Sequence, residues 1–176
     1  MSHPPNYILL DAARMQEETE QAQERNPRYA SLYKGRSEED LAGVAPYLFT
    51  YREGSYFANW YGAKGWGHAW GLLIESPVSF DELYKHFRKF LLVKTEDGRE
   101  LYFRFYDPRV LRTFLPSCDE QQLREFFGPV RYFICEEKDS GYALYFSLQH
   151  NILQIERIAQ DAVFSSATMA SQPVSL

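Results

Sequence analysis

The chain has 176 residues, enough for one domain with a sizeable core, and its 45% hydrophobic and 24% charged content is the balance of a globular protein. A net charge of −5 speaks against a broad basic face for a polyanion, so nucleic acid is not an expected partner. Cys118 and Cys135 make neither a disulfide framework nor a zinc motif, the N-terminus has no basic leader, and no apolar run approaches the ~18 residues that span a bilayer.

Residues 6–12, NYILLDA, read as a short buried strand. Residues 13–27 read as a polar helix ending before Pro27, with only Met15, Thr19 and Ala22 to bury. YASLYKG (29–35) suits a second strand, and a helical turn then leads through Pro46 into an extended YLFTY. Between 55 and 76, Trp60, Tyr61, Trp66 and Trp70 stand among glycines at 62, 65, 67 and 71, ahead of a strand AWGLLIE. Large rings beside glycines signal tight turns or closely packed backbones, and the absence of GK[ST] excludes a phosphate loop. The clearest helix follows, with Ser79 and Glu82 in capping-box spacing and Phe80, Leu83, Tyr84, Phe87, Phe90 and Leu91 on one stripe. Lys85, His86, Arg88 and Lys89 fall on its other face, and a hairpin about Asp97-Gly98 comes next.

Leu101, Phe103 and Phe105 alternate with Tyr102, Arg104 and Tyr106, which turns Arg104 away from the apolar face. Asp107 followed by Pro108 is a helix start, a carboxylate for the free amides and a preset φ at the first helical position, worth about 1 kcal/mol. Val110, Leu111, Phe114 and Leu115 form that helix's stripe, Arg109 and Arg112 lie outside it, and Pro116 stops it. Ser117 and Glu120 cap a further helix that packs Leu123, Phe126 and Phe127 before Gly128 and Pro129. Residues 130–137 and 142–148 pair around KDSG, and 150–164 read as a closing helix on Ile152, Ile155, Ala159 and Val163. One domain is expected over 1–164, with 165–176 as a flexible tail. The fold class is α/β (α+β): a mixed, largely antiparallel sheet with amphipathic helices packed on it.

Arg104, Arg109 and Arg112, with Tyr106, Trp60, Trp66 and Trp70, are the candidate partner contacts, because arginine and aromatic side chains are enriched at interface centres. Competing with that are an internal ion pair of Arg104 with Asp11 or Glu75, and tryptophans that belong to the core. His68, His86 and His150 show no metal-ligand spacing. Cys118, placed at a helix start that would lower its thiol pKa, lacks a protease signature. No catalytic residue, metal or cofactor is expected. The alternative is a small hydrolase or nucleotidyl enzyme using Asp107 with Arg109 and Arg112 as an anion clamp.

SLYKG, APYLF, WG before a strand, FRKFLLVKTEDGRELYFRFYDPRVLRTFLP and FFGPV, in this order over roughly residues 7–150, resemble the effector chaperone (adaptor) domain of bacterial type VI secretion. The resemblance implies a non-enzymatic cytoplasmic protein without cofactor or membrane insertion. It would hold a cognate toxic effector, by that protein's N-terminal segment, and hand it to the C-terminal extension of the valine-glycine repeat spike protein.

Overall fold

The structure is a computed structural model describing residues 3–164, so the tail expected at 165–176 lies outside the described residues. YILLD has no polar alternation, as a strand covered on both faces requires, and it forms β1 (Tyr7–Asp11), buried at every position. Asp11 caps α1 (Ala12–Met15), its Oδ1 accepting from the Ala13 amide at 3.0 Å. The single helix expected over 13–27 is broken, because Gln16 takes a left-handed φ of 53° before α2 (Glu18–Arg25) begins. β2 (Tyr29–Ser31) is shorter than the expected 29–35; Ser31 Oγ accepts from the Tyr33 amide at 3.2 Å and turns Leu32 and Tyr33 into the core. Tyr84 then holds the Ser31 carbonyl at 2.8 Å and Arg88 the Leu32 carbonyl at 3.0 Å, which fastens SLYKG to the amphipathic helix.

α3 (Arg36–Asp40) and a 3-10 turn (Ala42–Val44) precede β3 (Pro46–Thr50). Ser55 caps α4 (Tyr56–Trp60), which continues as a π-turn (Tyr61–Gly65) before β4 (Gly71–Glu75). A Cβ at Gly71 would lie 1.9 Å from the Leu9 carbonyl oxygen, so only glycine allows β4 this close to β1.

α5 (Phe80–Arg88) carries the reciprocal Ser79–Glu82 capping box. His86, expected on its polar face, is instead buried: Nε2 donates to the Phe126 carbonyl at 2.7 Å and the ring packs where a Cβ on Gly128 would come within 2.4 Å. β5 (Leu92–Lys94) and β6 (Glu100–Tyr102) form a separate two-stranded hairpin. α6 (Pro108–Ser117) and α7 (Glu120–Phe127) follow, the latter capped by Asp119 and not by Ser117. β7 (Tyr132–Glu136), β8 (Tyr142–Gln149), β9 (Ile152–Ala159) and α8 (Gln160–Phe164) complete the described chain.

The helix expected over 150–164 is mostly strand. His150 and Asn151 adopt left-handed φ of 51° and 64°, a two-residue turn that sets Gln149 opposite Ile152 and pairs β8 with β9 along its full length. The main sheet runs β2-β3-β1-β4-β7-β8-β9 and is antiparallel at every pairing, an α+β arrangement. Helices cover both faces. Phe133 meets Phe87 of α5 and Phe126 and Phe127 of α7, while Phe49, on the opposite face by register, stacks on Phe57 of α4.

Candidate partner-binding site

β6 ends at Tyr102, short of the strand expected through Phe105, and the chain turns at Phe105 and Tyr106 to bring Asp107 to the head of α6. Asp107 Oδ1 accepts from the Arg109 amide at 2.9 Å, which caps the helix, and Pro108 supplies its first helical residue. The same carboxylate holds the Arg109 side chain, with Nε 3.0 Å from Oδ1 and Nη2 2.6 Å from Oδ2. Arg104 pairs with Asp11 and lies 3.9 Å from Asp107 Oδ2. Its internal partner is therefore Asp11 and not Glu75, which pairs with Arg131 at 3.0 Å.

Burial raises the Asp107 carboxyl, but hydrogen bonds from the Arg109 side chain and amide and the charges of Arg109 and Arg104 outweigh it, so it sits below its ordinary pKa. Asp11 goes the other way: burial lifts it by more than Arg104 and the Ala13 amide lower it. The two acids are buried, whereas the Arg104 and Arg109 side chains keep 41% and 51% of their surface in solvent. Two carboxylates thus clamp the ends of β1, the hairpin root and α6 together and hold two guanidinium groups in fixed positions facing out. An isolated arginine loses side-chain freedom when it grips a partner; these two have already lost much of it.

Beside Arg104 projects the β5–β6 hairpin, on which Leu92, Val93, Leu101 and Tyr102 are exposed. These four escaped the sequence reading because alternation alone does not say that a hairpin will lack a covering helix. Arg112 is not with the other two arginines at Asp107 but donates to the Glu136 carbonyl at 2.6 Å. The anion clamp of Asp107, Arg109 and Arg112 is thus not assembled.

Three aromatic candidates are corrected. Tyr106, Trp66 and Trp70 are buried core side chains: Trp66 Nε1 donates to the Ser140 carbonyl at 2.7 Å, Trp70 packs on Trp60, and the Tyr106 ring meets that of Phe105 edge-on at 5.4 Å. The turn that carries both tryptophans is pinned by Glu136, whose two carboxylate oxygens accept from the Gly67 and Ala69 amides at 2.7 Å each. Trp60 is partly buried, with the Arg25 guanidinium 5.1 Å from its ring. Cys118 lies at the C-terminal end of α6, not at a helix start, and burial raises its thiol pKa.

Among the described residues, no group of three or more His, Cys, Asp or Glu is placed to hold a metal ion, and no helix is long and apolar enough to cross a membrane. No curated protein and no solved structure matches the chain. A family described as a domain of unknown function, DUF4123, matches residues 6–125, which run from β1 into α7 and include the hairpin, Arg104, Asp107 and Arg109. That family is known for the effector chaperones and adaptors of type VI secretion and is not a known enzyme family; the chain belongs to it.

Proposed function

We propose that the protein is a type VI secretion chaperone and adaptor that binds the N-terminal segment of its cognate toxic effector and helps load that effector onto the valine-glycine repeat spike. The observation that carries this reading is the face formed by the β5–β6 hairpin and the anchored guanidinium groups of Arg104 and Arg109. It offers apolar surface next to half-exposed arginine side chains already held in place by Asp11 and Asp107, which suits an amphipathic or aggregation-prone peptide segment. A two-stranded hairpin is marginally stable alone, so a partner laid on it both hides its own apolar surface and orders the hairpin. Each 100 Å² of apolar surface covered contributes about 2.5 kcal/mol, so a few hundred square ångströms suffice without any covalent step. A second surface would take the C-terminal extension of the spike, and the work would be done in the cytoplasm with no cofactor.

Co-purification of the effector with wild-type chain, Arg109→Gln and the double variant Leu101→Ser/Tyr102→Ser tests this reading. All three should fold alike by circular dichroism, with effector capture reduced in Arg109→Gln and largely lost in the double variant. Capture that is unchanged in both removes this face from the function.

A further inference from the structure

We propose that the hollow between the end of α2 and the start of α4 is a carboxylate-binding pocket that takes an acidic side chain next to an apolar residue on a partner polypeptide. The inference rests on the binding role proposed above and gives it a second surface, built from elements other than those that carry Arg104 and Arg109. The hollow has a volume of about 430 Å³, and its walls include Arg25, Asn26, Arg52, Ser55, Tyr56 and Phe57. No described carboxylate lines it.

Its cations enter no ion pair among the described residues. Among the described residues, Arg104, Arg109, Arg131 and Arg157 all have acidic partners, whereas Arg25, Arg52 and the neighbouring Arg28 enter no ion pair. Other arginines without an ion pair, Arg14, Arg88 and Arg112, donate to backbone carbonyls elsewhere in the fold; Arg25 and Arg52 are set apart by lining one hollow together. Arg25 spends one donor on the Gln21 carbonyl at 3.2 Å, but its Nε is buried without an acceptor. Its guanidinium rests 5.6 Å from the Tyr56 ring and 5.1 Å from the Trp60 ring, contacts that position the charge without neutralising it.

A planar guanidinium presents paired donors that match a carboxylate, and Tyr56, 72% exposed, offers a flat wall for an apolar neighbour. The occupant is therefore an acidic-aromatic peptide segment. A long polyanion would meet the net charge of −5, and a lone phosphate would leave the aromatic wall unused.

The test uses the full chain and a fluorescently labelled peptide, acetyl-Glu-Phe-Glu-Glu-Phe-Glu-amide, followed by anisotropy at low salt, with the Gln-for-Glu peptide and inorganic phosphate as comparisons. The Arg52 side chain makes no hydrogen bond or ion pair with the described residues, only its carbonyl accepting from the Ser55 amide, so its variants should keep the wild-type melting curve. The acidic peptide should bind, Arg52→Gln should weaken it about tenfold or more, Arg52→Lys should restore part of the loss, and Arg124→Gln on α7 should change nothing. Equal binding of the Gln peptide, equal displacement by phosphate, or an Arg52→Gln variant that binds like wild type overturns the proposal. Effector capture measured on the same variants separates the two claims. A chain that captures effector but does not bind the acidic peptide loses the pocket and keeps the adaptor role, whereas one that binds the peptide but captures no effector loses the adaptor role.

Discussion

Replacing Asp107 separates its two tasks, capping α6 and fixing the arginines. Asp107→Ala removes the acceptor 2.9 Å from the Arg109 amide, a loss of about 1 kcal/mol on helix-cap precedent. It also frees Arg109, half in solvent, and takes a distant partner from Arg104, which together add at most about 1 kcal/mol. The sum is about 2 kcal/mol, or a melting temperature lower by about 4–8 °C for a chain of this size. Asparagine caps as well as aspartate, so Asp107→Asn should cost only about 1 kcal/mol, the share of the lost charge. The sign of the pH dependence follows from the depressed carboxyl. Its stabilising effect is full above the unfolded value of about 3.9 and is lost as the pH falls through the lower folded value. The gap between wild type and Asp107→Asn should therefore begin to narrow below about pH 4 and close only below the folded value. Urea unfolding followed by tryptophan fluorescence at pH 7 and pH 3.5 reads all of this. If Asn costs as much as Ala the cap is not the main term, and if neither variant shifts the midpoint the clamp at the head of α6 is wrong.

Two further changes probe the core that carries the site. Gly71→Ala places a Cβ 1.9 Å from the Leu9 carbonyl oxygen in the middle of the sheet, so the variant should be recovered insoluble or without cooperative melting; a soluble protein with a wild-type melt would contradict the β1–β4 register. Burial holds His86 below its ordinary pKa, so the folded state gives up its proton and stability should fall as the pH drops below about 6.5 toward the folded value. His86→Gln, which can still donate to the Phe126 carbonyl, should flatten that part of the stability curve, and an unaltered slope between pH 7 and 5 would show that another group causes it.

Local signals carried the sequence reading wherever one element was enough. The Ser79 and Glu82 spacing marked α5, and Asp107-Pro108 marked α6, because a cap is made within three residues. β9 was misread because Ile152, Ile155 and Ala159 also fit a helical stripe; the deciding signal was the His150-Asn151 pair, a two-residue turn between two apolar runs. Long-range contacts had no local mark. Nothing near Glu136 says that its carboxylate will hold amides 67 and 69 residues back, and nothing near Trp66 says that its indole will meet the Ser140 carbonyl. For the same reason the arginines could be singled out as a group but not divided into Arg104 and Arg109, half-exposed and held by Asp11 and Asp107, and Arg112, which is turned to β7.

The adaptor reading is tested most directly by titrating the purified chain, in a calorimeter, with its cognate effector and separately with the C-terminal extension of the spike. Saturable binding to both, with the effector recovered at unchanged mass, is the predicted result. An effector that neither binds nor slows the binding of the spike extension, or one that is released chemically altered, would contradict it.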